Sequence, residues 1–340
     1  MVVAEYKIEN ANGIRITVLD LGGIVMSLEV PDLCGELANV VLGYPNAQDY
    51  LTTGNPFYFG AIIGRCANRI AGGQFRIGER LVQVTANDNK NHLHGGLVGF
   101  DKVFWDVEPI RGQDWVGLKL RYVSKDGEEG FPGNLEVVAT YRLGDDDTFT
   151  IEYEASTDKP TVVNLSHHSY FNLTGDADCT IDEHELLIHA DQFTPLGSDM
   201  LPVGRIEDVA DTPLDFRVRK QIGRVLETAI SEQLRLADGF DHNLIVQSEP
   251  NELKPAAVLF EARSKRIVTV ATTEPGLHFY SGNFLSGTQD APKIRQRSGL
   301  CLEPQHFPNS PNESNFPSTI LLPSDTYNWK TVYSFSTVKN

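Results

Sequence analysis

Glycine and proline recur so often along this chain that long helices have little room. The 340 residues include 29 glycines and 18 prolines, about one such residue in every seven. Glycine weakens a helix and proline ends one, so the chain is divided into short segments. Short segments bounded by turns are typical of strands, and we therefore expect a β-rich fold.

Alternation of apolar and polar residues within these segments indicates strands with one buried face. The clearest alternation covers residues 14–18, 26–30, 116–122 and 149–155. Apolar runs also flank short polar turns, as Leu135–Leu143 and Phe149–Ala155 flank residues 144–148. The same arrangement recurs around Gly78 and Ser264. These spacings predict hairpins, and hence antiparallel pairing.

One segment, Phe216–Leu236, has helical rather than strand periodicity. Its apolar positions 218, 222, 225, 229 and 230 would share one helix face, behind a possible N-cap at Asp215. We expect a helix here, weakened by Gly223. Because no repeat, low-complexity run or linker divides the chain, we expect residues 1–340 to form a single all-β domain, a large antiparallel β-sandwich with few short helices.

Charge and composition exclude several classes of protein. The chain has 46 acidic and 29 basic side chains, and a net charge of −17 disfavours binding to nucleic acid or to anionic membranes. No apolar run approaches the ~20 residues of a membrane-spanning helix. The first residues lack the basic and then apolar pattern of a secretory signal, so we expect a cytoplasmic protein. The cysteines at 34, 66, 179 and 301 form no C-x-x-C pair and are predicted to be free buried thiols.

Five clusters of polar residues beside glycine or proline are the candidate functional segments. They cover residues 64–70, 93–96, 167–173, 239–243 and 302–308. Taken alone, each cluster is compatible with a turn or a structural hydrogen bond as well as with a functional site. Polar groups within apolar β segments must nevertheless find partners, and convergence on a hydrated cleft would supply them.

Together these clusters resemble the galactose mutarotase, or aldose 1-epimerase, family. The matching stretches follow the family's order and are Tyr58–Ile70, His92–Gly96, Gly99–Val103, His168–Gly175, Gly239–Asn243, Phe279–Leu285, Cys301–Pro308 and Asn315–Ser318. The resemblance implies the family's large β-sandwich, with a free hexose on its concave face. It also implies interconversion of the α and β anomers of free aldohexoses such as galactose and glucose, without metal or other cofactor.

The resemblance also implies roles for individual residues. Glu303 corresponds to the family's general base and His168 to its general acid. The sugar would be held by Asn68, Arg69, His94 and Asp241. His278, also a predicted sugar contact, stands where the family commonly has glutamine, and Pro304 stands where threonine is more usual. The reaction itself requires one base and one acid, so this residue set is chemically sufficient.

Three alternatives remain open at this stage. His92 and His94 would face one side of a strand, as in a cupin-like H-x-H metal site. The chain could instead be a carbohydrate-binding or sensing module that lacks catalysis, because a fold does not determine a function. An epimerase of phosphorylated hexoses would use Arg65 and Arg69 to hold a phosphate. We expect a monomer or a homodimer.

Overall fold

Strands dominate the structure, a computed structural model that describes residues 2–246, 252–287 and 291–338. Three short α-helices are present in this part of the chain, α1 (Ala47–Thr53), α2 (Ile222–Thr228) and α3 (Glu232–Ala237). The strands are β1 (Glu5–Glu9), β2 (Arg15–Leu19), β3 (Val25–Pro31), β4 (Leu37–Asn39), β5 (Ile62–Ile63), β6 (Arg69–Ile70), β7 (Gln74–Ile77), β8 (Arg80–Gln83), β9 (His92–Leu93), β10 (Asp106–Arg111), β11 (Trp115–Ser124), β12 (Leu135–Gly144), β13 (Thr148–Thr157), β14 (Thr161–Val162), β15 (Ser166–His167), β16 (Tyr170–Phe171), β17 (Glu185–Ile188), β18 (Ala190–Phe193), β19 (Glu207–Asp208), β20 (Lys220–Gln221), β21 (Asp241–Val246), β22 (Lys254–Phe260), β23 (Arg266–Thr272), β24 (Gly276–Tyr280), β25 (Leu300–Gln305), β26 (Ile320–Leu321) and β27 (Tyr327–Thr337).

Two large antiparallel sheets share one apolar core. The larger sheet has nine strands in the order β10-β11-β12-β13-β27-β23-β22-β17-β20, and the smaller has six in the order β16-β25-β24-β21-β18-β19. Their inward faces supply members of one buried cluster. Tyr333 of the larger sheet packs on Phe171 of the smaller, with ring centroids 5.5 Å apart. The predicted all-β class with antiparallel sheets is confirmed.

The predicted hairpins are confirmed by the strand registers. Strands β12 and β13 pair from Leu135 opposite Thr157 to Leu143 opposite Phe149. Strands β7 and β8 pair around Gly78, and β22 and β23 pair around Ser264. The alternation of apolar and polar residues identified these strands because each buries one face.

The predicted helix over Phe216–Leu236 is wrong in its bounds. Residues 220–221 instead form β20, which pairs with β17, and helical structure begins only at Ile222 and is interrupted between Thr228 and Glu232. Asp215 caps no helix and binds Arg217 through two contacts of 2.9 Å. The predicted apolar stripe is only partly buried, since Ile222 lies in the core while Val218 and Ile230 are exposed. Helix α1 was not predicted.

Pro304 lies within β25, and its carbonyl accepts a hydrogen bond from Ser166 Oγ at 2.9 Å. Because the N–H and C=O of a strand residue point to the same side, the missing N–H faces Ser166 and costs the β24–β25 ladder nothing. All four cysteines are free, but Cys34 is exposed and Cys179 is half-buried. Among the described helices, none is long and apolar enough to cross a membrane.

Four buried histidines make the fold sensitive to acid. Burial lowers the pKa of His167 to about 3, and lowers the pKa of His168, His184 and His242 to about 4. A histidine in the unfolded chain has a pKa near 6.5. The unfolded chain therefore binds more protons than the folded chain between these values, so the free energy of unfolding decreases as the pH falls through this window.

We expect the free energy of unfolding to decrease by a few kcal/mol between about pH 7 and pH 5.5, since each pKa unit of each group corresponds to about 1.4 kcal/mol. Asp101 and Glu303, whose pKa values are raised, oppose this trend, but the histidines outnumber them, because burial also lowers the pKa of His92 and His94. Urea unfolding at a series of pH values measures the slope. His242→Gln should reduce the slope, whereas His189→Gln, at an exposed position, should leave it unchanged. A free energy of unfolding that does not vary over this range would contradict the analysis.

Candidate functional site

All seven residues that the sequence predicts to be catalytic or sugar-binding line one pocket. It lies beside the six-stranded sheet and is lined by Pro56, Phe57, Tyr58, Asn68, Arg69, Leu93, His94, His168, Tyr170, Asp241, His278, Tyr280, Phe284 and Glu303. These residues come from parts of the chain more than 200 positions apart. The fold therefore brings the separate polar clusters of the sequence to one place.

The floor of the pocket comes from three adjacent strands. Asp241 lies on β21, His278 on β24 and Glu303 on β25, with His278 directly opposite Glu303 in the register. Successive side chains of a strand point to opposite faces. In β25 the neighbours Leu300 and Leu302 accordingly enter the core, while Glu303 faces the pocket.

The rim is built by two residues in left-handed backbone conformations, Asn68 with φ 59° and His94 with φ 51°. Two hydrogen bonds connect these residues to each other. The Asn68 N–H donates to Nδ1 of His94 at 3.2 Å, and the His94 N–H donates to the Asn68 carbonyl at 3.1 Å. Because Nδ1 accepts a hydrogen bond from the backbone N–H of Asn68, the proton of a neutral His94 is on Nε2. Burial, reinforced by His168 and Arg69, lowers the pKa of His94 well below its usual value, so His94 is a neutral donor.

Arg69 is oriented by a carboxylate that the sequence analysis did not single out. Asp88 Oδ2 lies 2.7 Å from Arg69 Nε, and the two side chains are largely buried. A hydrogen bond between two charged groups is stronger than one between neutral groups, so this contact fixes the direction of the guanidinium. Asp88 lies in a segment of polar residues that is typical of a turn. No sequence pattern predicts its contact with Arg69.

Asp241 and His278 are in close hydrogen-bond contact, with 2.6 Å between Oδ1 and Nε2. Asn68 Nδ2 is 3.5 Å from the same ring nitrogen. His278 Nδ1 is buried and has no hydrogen-bond partner within the described residues. Burial raises the pKa of Asp241, but the hydrogen bond from His278 and the nearby positive charges outweigh it, and the net shift is downward. Asp241 therefore stays ionised.

Glu303 and His168 face each other without touching. Glu303 Oε1 is 3.8 Å from His168 Nε2, and the side chains are only 3% and 5% exposed. Glu303 Oε2 is buried without a hydrogen-bond partner among the described residues. A separation of 3.8 Å is too long for a direct hydrogen bond. It leaves both groups able to reach the oxygens of a bound ligand.

Comparison with known proteins identifies the family. Residues 4–334 match the family described as aldose 1-epimerase. The chain belongs to the aldose 1-epimerase family. It is 39% identical to galactose mutarotase from Sus scrofa over 326 residues, which cover 95% of this chain and 91% of that protein. It is 35% identical to aldose 1-epimerase from Escherichia coli K12 over 332 residues, which cover 96% and 94% of the two chains.

A solved structure extends this relationship to the fold. Galactose 1-epimerase from Lactobacillus acidophilus NCFM superposes with a TM-score of 0.88 and 30% identity, covering 99% of this chain and 95% of that chain. The family resemblance recognised in the sequence is therefore confirmed.

In this member of the aldose 1-epimerase family, the H-x-H arrangement does not form. Strand β9 ends at Leu93, and the left-handed backbone of His94 turns its side chain into the pocket. His92 instead packs on Phe131, and its Nδ1 is 2.7 Å from the Thr85 carbonyl oxygen. The expectation that His92 and His94 share one face is wrong, because the strand is too short.

A different group of potential metal ligands occurs within the described residues. His168, Cys301 and Glu303 each offer a ligand atom, and these atoms lie within 4.8 Å of one another. Burial raises the pKa of both Cys301 and Glu303 well above the usual values. A metal ion would have to displace a proton from each, which weakens binding at neutral pH. The donor set is therefore better suited to exchanging protons than to holding a metal.

The pKa values of Glu303 and His168 move in opposite directions. Burial, and then the charge of Asp241, raises the pKa of Glu303 well above its usual value. Burial lowers the pKa of His168 to about 4. Both shifts favour the uncharged forms. At neutral pH the two shifts therefore favour a protonated, neutral Glu303 and a neutral His168.

We expect infrared spectroscopy to detect this proton. At pH 7 the difference spectrum between the unmodified protein and Glu303→Gln should contain the C=O stretch of a buried carboxylic acid, because the pKa of Glu303 is raised. The band should disappear as the pH rises through that pKa. Glu108→Gln, at an exposed position, serves as the control and should not affect the band. Observation of only ionised carboxylate at pH 7 would contradict the assignment.

Proposed function

We propose that this protein is an aldose 1-epimerase that interconverts the α and β anomers of free aldohexoses such as galactose and glucose. Its family membership makes it an isomerase, and its similarity to galactose mutarotase and to aldose 1-epimerase supports the substrate class. The observation that carries the proposal is the buried pair Glu303 and His168, 3.8 Å apart at the floor of a polar pocket. This pair can supply the base and the acid that anomer exchange needs.

In the proposed mechanism, the Glu303 carboxylate removes the proton from the hydroxyl on C1 of the sugar. His168, as imidazolium, gives a proton from Nε2 to the ring oxygen, and the bond between C1 and that oxygen breaks. Rotation about the bond between C1 and C2 then exposes the other face of the aldehyde. The reverse transfers close the ring. Because the two oxygens share one carbon, groups 3.8 Å apart can each reach one of them.

The shared proton changes place in each half of this reaction. Ring opening begins with the proton on His168 and ends with it on Glu303, and ring closure begins from that second arrangement. Burial disfavours both charges and so favours the second arrangement. The first arrangement therefore requires hydrogen bonds from the sugar to replace lost solvation. General acid and base catalysis of this kind contributes roughly 10²- to 10⁴-fold for each group.

The remaining pocket residues are proposed to hold the sugar. Arg69 and Asp241 can form charge-assisted hydrogen bonds to hydroxyl groups, and neutral His94 can donate from Nε2. Asn68 adds an amide beside them. These contacts would fix the orientation of the ring, so that the proposed acid and base meet the correct oxygens.

Two rival functions are less well supported. A binding module without catalysis would have no use for two titratable groups that lose solvation in the pocket. An epimerase of phosphorylated hexoses would need an available arginine. Arg65 is buried away from the pocket, where it donates to Ser124, Lys125 and Pro132. The charge of Arg69 is balanced by Asp88 at its Nε, which leaves the guanidinium able to bind hydroxyl groups but gives little net positive charge for a phosphate.

We expect Glu303→Gln and His168→Asn each to lower kcat by roughly 100-fold or more. Each substitution removes a group that exchanges protons, while sugar binding should largely persist. Because either loss leaves half a reaction, the double variant should be little slower than each single variant. Polarimetry on freshly dissolved α-glucose and α-galactose measures turnover, and calorimetric titration measures binding.

The exposed residues Glu108 and His189 provide matched controls, since Glu108→Gln and His189→Asn remove the same groups from the surface. Near-normal turnover by Glu303→Gln would mean that the base lies elsewhere. Multiplicative losses in the double variant would mean that the two groups do not act in one reaction step.

We expect His278→Gln to change the preference among sugars more than it changes kcat. His278 contacts Asp241 and lines the pocket, but it does not meet the proposed positions of proton transfer. A contact made equally to the bound sugar and to the transition state alters KM and leaves kcat unchanged. Comparison of KM and kcat for glucose, galactose and a third aldohexose tests this, with His189→Gln as the surface control. An equal loss of kcat for every sugar at unchanged KM would refute the assignment.

A further inference from the structure

The two edges of the His168 ring face different partners. Nε2 faces Glu303, whereas Nδ1 lies 3.4 Å from the sulfur of Cys301, within hydrogen-bond distance for sulfur. The ring therefore spans the space between Cys301 and the proposed base. Cys301 does not line the pocket and is completely buried behind His168. The proposed mechanism so far gives it no role.

The strand register fixes Cys301 at this place. Cys301 lies two residues before Glu303 on β25, so both side chains emerge on the same face. It stands between Tyr170 on β16 and Tyr280 on β24, directly opposite each in the register. The sulfur therefore belongs to the rigid floor of the pocket, while His168 approaches it from the segment between β15 and β16.

Ring packing around His168 restricts its plane but does not decide which edge faces Glu303. The Tyr58 ring stacks at 5.8 Å and 27°, and the Tyr170 ring lies 4.9 Å away. A rotation of the imidazole by half a turn would preserve these contacts and would direct a ring carbon at the sulfur and another toward Glu303. A hydrogen bond at Nδ1 distinguishes the two orientations, since carbon cannot replace the nitrogen in it.

We propose that Cys301 is a positioning residue for His168, and that its sulfur binds Nδ1 and so keeps Nε2 directed at Glu303 and the sugar. The inference rests on the proposed function, because the direction of Nε2 matters only if that atom exchanges protons. No proton needs to move on sulfur. In each half of the reaction, Nε2 loses or gains a proton, while the hydrogen on Nδ1 remains in place and points at the sulfur.

The Cys301 thiol is an uncharged hydrogen-bond partner, which leaves the acidity of His168 largely unchanged. Burial, together with the charges of Glu303 and Asp241, raises the pKa of the Cys301 thiol well above its usual value, so the sulfur carries no charge. A carboxylate at this position would stabilise the imidazolium and make His168 a weaker acid. The thiol can orient the ring without that effect, because neutral sulfur is only a weak acceptor.

Other titratable groups also face His168, and they would be unchanged in variants of Cys301. His167 adjoins it in sequence, and the remaining neighbours are Tyr58, His94, Tyr170, Asp241, His278 and Glu303. A difference between two variants at position 301 therefore reports on the contact with Nδ1.

Two substitutions separate hydrogen bonding from packing. Cys301→Ser keeps a polar atom beside Nδ1, whereas Cys301→Val fills the space without one. We expect Cys301→Ser to keep kcat within about threefold of the unmodified enzyme, and Cys301→Val to lower kcat roughly 3- to 10-fold, the effect of losing one neutral hydrogen bond. KM should change less than twofold in both, since Cys301 does not touch the sugar. If Cys301→Val fails to fold, Cys301→Ala replaces it.

Nitrogen NMR of the His168 ring gives a second readout. We expect the Nδ1 and Nε2 signals to keep their pattern in Cys301→Ser and to show altered protonation or a second ring orientation in Cys301→Val. Equal kcat in the two variants, or an unchanged ring spectrum in Cys301→Val, would overturn the proposal and leave Cys301 as a packing residue. If the unmodified protein shows no mutarotation, the proposed function fails instead, while the ring spectra still test the contact itself.

Discussion

The register between β24 and β25 is the constraint on which the whole site depends. His278 stands opposite Glu303, and Tyr280 stands opposite Cys301. A shift of β25 by one residue would bury Glu303 in the core and turn Leu302 into the pocket. The apolar core between the two large sheets prevents such a shift, since Leu300 and Leu302 belong to it. The core therefore positions the polar groups, although none of its members touches the pocket.

Burial then sets the protonation of the groups that the register has placed. Glu303 and His168 both lose contact with water, and each loss favours the uncharged form. Asp241 is buried in the same pocket and remains ionised because His278 is only 2.6 Å away. Two carboxylates in one pocket thus differ in protonation, because Asp241 has the hydrogen bond from His278 and the nearby charge of Arg69, whereas the charge of Asp241 raises the pKa of Glu303 further.

The sequence predicted the strands better than it predicted the helices. In β12 and β13 the apolar face is buried along its full length, so the alternation of residues and the burial coincide. Phe216–Leu236 shows why the same reasoning failed for a helix. The segment contributes to a strand edge, the core and the surface in turn, since Lys220 and Gln221 pair with β17, Ile222 is buried and Ile230 is exposed. Periodicity cannot reveal that one stretch contributes to several environments.

The sequence by itself determined the all-β class, the hairpins, the family and seven of the residues that line the pocket, because these depend on local patterns and short motifs. Only the tertiary structure decided how those residues act on one another. Asp88 binds Arg69 across 19 positions, His278 binds Asp241 across 37, and Cys301 reaches His168 across 133. Contacts at such separations depend on strand register and on the paths of loops. No local sequence pattern predicts the strand register or the loop paths, because packing of the whole core determines both.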